Sequence, residues 1–218
     1  MTLLEAIDAR HSVRRYLEKP IEPEKKQALQ QEIDRCNEES GLHIQLITDE
    51  PEAFTGALAN YGHFTGATNY IALVGKKSKT LGEQVGYYGE QIVLKAQQLG
   101  LNTCWVALTF SKRKCKAVVD KGEKLALVIS LGYGTTQGHT RPTKAAADVA
   151  DLTDAPDWFI AGVEAALKAP TAVNQQKFRF IRNGETVTIK ATGGVYSNVD
   201  LGIVKYHFEV GSGKNAVI

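Results

Sequence analysis

The chain is short of several things, and each shortage removes a class of protein. Cysteine occurs only at Cys36, Cys104 and Cys115, an odd number with no CxxC spacing. A disulfide framework or a zinc site is therefore not expected, and a reducing cytoplasmic setting is the default. No apolar run reaches the roughly 18 residues that a membrane-spanning helix needs. The first eight residues carry Glu5 and Asp8 and no basic start, so a signal peptide is not expected either. Net charge is also scarce: 26 basic against 24 acidic residues leaves +2, too little to argue for nucleic acid or a membrane surface. Any anion this protein binds must be met by a local cluster of positive charge. What remains is an ordinary globular composition, 43% hydrophobic and 23% charged over 218 residues, enough for one large domain or two small ones.

One such cluster stands near the start. Leu3, Leu4 and Ile7 mark one face of a short helix, with Thr2 placed to cap it. The helix runs into Arg10-His11-Ser12-Val13-Arg14-Arg15-Tyr16. Guanidinium forks suit phosphate because they make paired, charge-assisted hydrogen bonds, and Ser12 adds a hydroxyl donor. The plainer alternative is a solvated helix end whose cations favour the C-terminal dipole.

Further along, Pro23 opens a helix with Ala28, Leu29 and Ile33 inward, Gly41 ends the connection that follows, and His43–Thr48 reads as a strand. Residues 49–69 look irregular or weakly helical, and Tyr70–Gly75 is an apolar run of central-strand type. Val85, Tyr88, Ile92, Ala96 and Leu99 recur at helical spacing before Gly100, with Val93 and Leu94 widening the apolar face. Leu101–Leu108 follows, and its Cys104 is either a packing residue or a reactive thiol. Leu125–Leu131 is a buried strand leading into Gly132-Tyr133-Gly134 and a polar loop with His139 and Arg141. Residues 132–153 form the best boundary, dividing the chain into segments 1–153 and 154–218. Asp154 is placed to cap the next helix, with Pro156 in its first turn.

That helix is stopped by Pro170 in Ala169-Pro170-Thr171-Ala172-Val173-Asn174-Gln175-Gln176-Lys177-Phe178-Arg179-Phe180, a polar turn that runs into a half-buried strand. Asn183-Gly184 marks a hairpin, residues 200–208 a last helix, and Gly211–Lys214 a mobile tail. The order helix, strand, strand, helix occurs twice, over about 24–99 and about 157–209, which suggests a diverged internal repeat.

Taken together these residues resemble the nitroreductase family of flavoenzymes. Arg10–Tyr16 is similar to the family's basic-serine-basic signature, and Ala169–Phe180 to its APSxxNxQPWxF signature. Leu99-Gly100-Leu101-Asn102-Thr103-Cys104-Trp105 is similar to its LGLxTxW segment, and Leu131–Gly134 with Arg141 to its late glycine turn and basic residue. The resemblance implies an α+β, nitroreductase-like fold with mixed or antiparallel central sheets flanked by helices. In the family the APSxxN segment follows the first motif within a few tens of residues; here it lies in the second half. The expectation is a single-chain pseudo-dimer, its halves related and its second half standing in for a partner subunit, with one flavin site and homo-oligomerisation still open.

Carried over, Arg10, His11 and Ser12 hold the phosphate and ribityl end of FMN, Arg14 the pyrimidine end, and Arg141 adds a phosphate contact. Trp105, Val106, Ala107 and Leu108 meet the ring edge, and Pro170, Thr171, Asn174 and Gln176 line the ring. Lys177 and Phe178 stand where the family has proline and tryptophan. The implied activity is an FMN-dependent oxidoreductase that uses NAD(P)H to reduce a nitroaromatic, quinone or similar small acceptor by ping-pong kinetics, with no side-chain acid or base and no metal assigned. Two alternatives go with it: a non-turnover flavin carrier or sensor, and a dehalogenating or flavin-cleaving relative.

Overall fold

A computed structural model describes residues 1–215 of the chain, apart from the side chain of Leu58. Along it run α1 (Leu3–Ala9), α2 (Pro23–Ser40), β1 (Gln45–Ile47), α3 (Ala57–Tyr61), β2 (Asn69–Lys76), α4 (Leu81–Gln98), β3 (Asn102–Val106) and β4 (Glu123–Gly132). They are followed by α5 (Ala146–Val149), α6 (Asp157–Leu167), β5 (Phe178–Asn183), β6 (Thr186–Ala191) and α7 (Ser197–Ser212). The expected α+β class with antiparallel sheets flanked by helices is what forms. Two compact units result, one from Ala9–Leu81 and Ile92–Thr140, the other from Met1–Asp8, Gly82–Gln91 and the residues from Arg141 onward. Helix α4 contributes its first part to the second unit and its last part to the first. Among the described residues no helix is long and apolar enough to cross a membrane.

In the first unit the two apolar runs become neighbouring central strands. The antiparallel sheet has the order β1-β2-β4-β3, and Asn69 to Gly75 are all buried, as a continuous apolar run with both faces covered should be. β2 and β4 pair over their full length with one register shift at Leu73/Val74, and β3 closes the far edge, Trp105 opposite Ile129. The interval 49–69, expected to be irregular or weakly helical, holds a 3-10 turn at Glu52–Phe54 and the short α3. Its Phe54 and Phe64 pack at 5.0 Å between ring centroids and join Tyr70 and Phe110 in the core.

The second unit is built on the antiparallel hairpin β5–β6 and helices α6 and α7. Phe159, Phe178, Phe180 and Phe208 form its aromatic centre, Phe180 stacking on Phe208 at 5.3 Å. A polar pair sits within it. His207 places Nδ1 3.1 Å from the Ala165 carbonyl and Nε2 2.8 Å from the Glu90 carboxyl, with both side chains fully buried. A carbonyl only accepts, so Nδ1 carries a hydrogen. The contact of Nε2 with the Glu90 carboxyl engages the other ring nitrogen.

At the first helix the expected cap forms but the expected face does not, since Ala6 and Ile7 are buried while Leu3 and Leu4 are 36% and 50% exposed, and two later helix ends also differ from expectation. Thr2 caps α1 reciprocally, its hydroxyl accepting from the Glu5 N–H at 3.2 Å while Glu5 accepts from the Thr2 N–H at 2.8 Å. Asp154 does not cap α6: it has φ 51, and the helix begins after Pro156, whose extended ψ of 154 delays the first turn. The tail Gly211–Lys214 is not a loose end. Gly211 and Ser212 belong to α7 and Gly213 ends it with φ 65, its N–H on the Glu209 carbonyl at 2.9 Å. The close approach of α7 to α6 fixes this, since a Cβ on Gly211 would lie 2.3 Å from the Ala165 Cβ and 2.7 Å from the Ala161 carbonyl.

Asp200 anchors the turn between α6 and β5. Its carboxylate oxygens accept from the Ala172 N–H at 2.9 Å and the Gln175 amide at 2.7 Å. This side chain holds a backbone that carries unusual strain: Val173, Asn174 and Gln176 all have positive φ, at 46, 55 and 46. Burial pushes the Asp200 carboxyl up, against the pull of Gln175, Ala172 and Arg141. Replacing Asp200 with Ala strands both donors and should lower stability by about 1–3 kcal/mol. Because the folded value is raised, the gap between wild type and Asp200→Ala should narrow as pH rises from the ordinary aspartate value of 3.8 through the folded one. Urea denaturation at several pH values measures both effects, and a gap that widens with pH would contradict the assignment.

Candidate functional site

The basic stretch is not a helix end. After α1 the chain becomes extended, and its backbone is bonded into three neighbouring segments. The Val13 N–H donates to the Thr103 carbonyl at 3.0 Å, and Ser12 bridges Thr103 in parallel at the edge of β3. Tyr16 donates to the Thr65 carbonyl at 2.9 Å while the Thr65 N–H donates to the Arg14 carbonyl at 3.1 Å. Leu17 donates to the Tyr133 carbonyl at 2.7 Å, and the Arg15 carbonyl accepts from Thr135 at 2.9 Å. Gly66 permits this approach: it has φ +66, and a Cβ there would stand 2.3 Å from the Tyr16 carbonyl oxygen.

A buried polar layer lies beneath. The Tyr16 hydroxyl donates to the Val13 carbonyl at 2.7 Å and accepts from Ser130 Oγ at 2.7 Å. Burial pushes the Tyr16 hydroxyl well up, so it stays neutral and can donate. Cys104 lies in the same layer, 2% exposed. Burial pushes its thiol up, although Arg14, Ser12 and Arg10 each pull it down. Of the two readings of Cys104, the structure supports packing: it sits in the core cluster with Val13, Tyr16 and Val106.

Above the stretch is a cavity of about 570 Å³ lined by Ser12, Val13, Arg14, Arg15, His63, Thr135, Thr136, Gly138 and His139. The lining offers two guanidinium groups, two imidazoles and three hydroxyls, and no carboxylate. Among the described residues no hydrogen bond or ion pair engages the guanidinium of Arg14 or Arg15. Cations left without a carboxylate beside a polar cavity are suited to an anionic ligand, and the hydroxyls supply further donors.

The other sequence-predicted residues fall as follows. Arg10 is buried at 5% exposure and His11 is half-buried, both on the same stretch. Trp105 and Val106 are in β3 beside the Ser12 bridge, with Val106 2% exposed, Ala107 half-buried and Leu108 68% exposed; none of the four lines the cavity. In the second unit Thr171, Asn174 and Gln176 are linked by hydrogen bonds, and Arg141 is bonded to backbone nearby. The Arg141 guanidinium donates to the carbonyls of Leu167, at 3.3 Å, and Ala169, at 2.6 Å, where cations complement a helix C-terminus. The Asn174 amide donates to the Pro142 carbonyl at 2.9 Å, and the Gln176 amide donates to it at 3.0 Å and to Asn174 Oδ1 at 3.0 Å. Gln176 also accepts from the Lys144 N–H at 3.0 Å, and Thr171 Oγ1 accepts from the Gln176 N–H at 3.1 Å. Pro170 precedes this turn and is buried.

Sequence reasoning missed His63, Thr135 and Thr136 as parts of the cavity. The glycine-rich run after β4 marks a turn and so hints at the threonines. His63 gave no signal: it is held by its N–H on the Asn60 carbonyl at 3.0 Å and by a φ of 58 that no pattern announces.

These features can be set beside known proteins. A family model described as "Putative TM nitroreductase" matches residues 2–212. No curated protein matches the chain. Among solved structures it is similar to a putative nitroreductase from Thermotoga maritima, with 25% identity and a TM-score of 0.69 over 96% of this chain and 83% of that one. It shares its fold with a putative nitroreductase in complex with FMN from Desulfovibrio desulfuricans, at 20% identity and TM-score 0.55 over 68% and 95% of the two chains. The same holds for a nitroreductase family protein from Streptococcus pneumoniae, at 14% identity and TM-score 0.54 over 68% and 98%. With the family model running from the first helix to the end of the last, the chain belongs to the putative TM nitroreductase family.

Proposed function

We propose that this protein is an FMN-dependent reductase that uses NAD(P)H to reduce a small organic acceptor such as a nitroaromatic or a quinone. One observation carries the reading: the cavity over residues 12–15 is lined by two arginines, two histidines and three hydroxyls with no carboxylate. That donor set fits a phosphate-bearing, polar cofactor. FMN, when bound, supplies the electron-transfer chemistry that no side chain of this family member has to perform. The chain's own residues bind and orient. Ser12, with Arg10 and His11 beside it on the fixed backbone, serves the phosphate and ribityl end. Arg14 serves the pyrimidine end, where a cation favours negative charge and raises the reduction potential. Thr135 and Thr136 add hydroxyl donors from the loop after β4. Support also comes from the bound FMN of the Desulfovibrio relative, which shares the fold.

The first test is spectroscopic. The purified chain, supplied with FMN, should show flavin absorbance after desalting, and both NADPH and NADH should be tried as reductants in stopped flow. Bleaching by at least one, with ping-pong steady-state kinetics toward a nitroaromatic or quinone acceptor, is the expected result. Retained flavin that neither nucleotide bleaches would refute the reductase reading and leave a binding protein.

The second test concerns the cradle. Arg14→Ala removes a charge-assisted contact of about 1.5–3 kcal/mol, which corresponds to roughly 10–150-fold weaker FMN binding by fluorescence titration. Ser12→Ala, the loss of one hydroxyl, should cost about 0.5–1.5 kcal/mol. Unchanged FMN affinity in both variants, with unchanged melting temperature, would remove the basic stretch from the site.

A further inference from the structure

Arg15 lines the cavity assigned to FMN without being placed at either end of the cofactor, and it also lines a second cavity. This one, of about 360 Å³, is bounded by Arg15, Asn60, His63, Phe64 and Thr65, and it shares Arg15 and His63 with the larger cavity. The two therefore adjoin. Its composition is distinctive: a guanidinium, an imidazole, an amide and a hydroxyl over the edge of a buried aromatic ring, again with no carboxylate. The backbone positions of these residues are fixed. Arg15 bridges Thr65, the Arg15 carbonyl accepts from Thr135, the His63 N–H is on Asn60, and Phe64, 5% exposed, packs on Phe54. Their polar ends are not committed. Among the described residues no hydrogen bond or ion pair engages the side chains of Arg15, Asn60, His63 or Thr65.

We propose that this cavity is a second anion subsite, and that it takes the 2′-phosphate of the reducing nucleotide, so that the protein discriminates NADPH from NADH. The inference rests on the function proposed above for the identity of the nucleotide. NADPH and NADH differ only in that phosphate. Selecting between them requires a cation fork at the phosphate, with hydroxyl or amide donors beside it. Arg15 supplies a planar fork suited to bidentate phosphate binding, and Thr65 and Asn60 supply neutral donors. The exposed His63 ring offers flat surface for the attached base. Position agrees with chemistry: the subsite lies against the cavity assigned to the cofactor, where the nucleotide must come, yet leaves Ser12 and Arg14 to the cofactor's own phosphate and ring.

The deciding measurement needs no turnover. Calorimetric titration of the whole chain as purified should show adenosine 2′,5′-bisphosphate binding about tenfold or more tighter than 5′-AMP, the worth of one good charge-assisted contact. Arg15→Ala should collapse that ratio toward one, and Arg15→Lys, which keeps the charge without the fork, should leave an intermediate ratio. The exposed Arg15 side chain makes no contact that the fold needs, and a melting curve verifies that each variant is folded. A wild-type ratio near one, or a ratio that Arg15→Ala leaves in place, overturns the proposal. So does a 4-nitrobenzoate affinity that depends on Arg15 while the two nucleotides bind alike, because it assigns the cations to an anionic acceptor. In stopped flow the ratio of NADPH to NADH reduction efficiency should fall in Arg15→Ala. Failure of both nucleotides to bleach the flavin would refute the reductase reading, and the calorimetric ratio would still decide the subsite.

Discussion

The site depends on how five residues of extended backbone are held. From Val13 to Leu17 the main chain gives its N–H groups at 13, 16 and 17, and its carbonyls at 14 and 15, to β3, the 63–65 segment and the loop after β4. Those bonds come from three directions, so the stretch cannot fray or slide in register without breaking several at once. With the backbone fixed in this way, the guanidinium groups of Arg14 and Arg15 play no structural part among the described residues. A helical version of the same sequence would have used the same backbone groups within itself and left the three segments unconnected.

The layer below explains why so much positive charge can gather here without a carboxylate. Tyr16, Ser130 and Cys104 are buried and uncharged, and their hydrogen bonds run among themselves and to backbone carbonyls. Burial pushes the Tyr16 hydroxyl and the Cys104 thiol up, which keeps the low-polarity side of the stretch neutral. The Arg14 and Arg15 heads instead lie on the solvent side, where their hydration costs are small and a ligand anion can replace water. A carboxylate placed under Arg14 would neutralise it and compete with any bound phosphate.

Much of the fold could be read from the sequence because its signals are local. Thr2 with Glu5, Pro23, the Val85–Leu99 periodicity and the Leu125–Leu131 run each determine an element through contacts a few residues apart or through continuous burial. The hairpin at Asn183-Gly184 is another case, with Val187 and Ile189 on the buried face. What could not be read was set by partners distant in sequence. α7 runs on past the expected end because Gly211 lets it lie against Ala161 and Ala165, some 50 residues earlier. The extended form of Val13–Leu17 depends on residues 65, 103 and 133, and composition alone equally allowed a solvated helix end. His63 reaches the cavity through a left-handed turn that only the folded chain supports.

The turn at 170–176 shows the same division within the other unit. Pro170 made a helix stop certain, and the amides made polar contacts expected, but the form of the turn is tertiary. Three non-glycine residues there sit at positive φ, one of them the β-branched Val173, which is 88% exposed and gains nothing from packing. Such a backbone persists only when its surroundings over-determine it. Here Asp200 holds it from α7 at Ala172 and Gln175, while Gln176 and Asn174 grip Pro142 and Lys144 on the other side. Arg141 binds the adjoining carbonyls of Leu167 and Ala169, so the chain just before the grip is fixed as well. The two amides that hold the turn, Asn174 and Gln176, were, like Arg141, singled out by the sequence as ligand contacts. In the structure their amides also organise the turn, so replacing either one changes backbone shape as well as any contact with a ligand. Any effect of an Asn174 substitution on ligand binding must therefore be read together with its effect on stability.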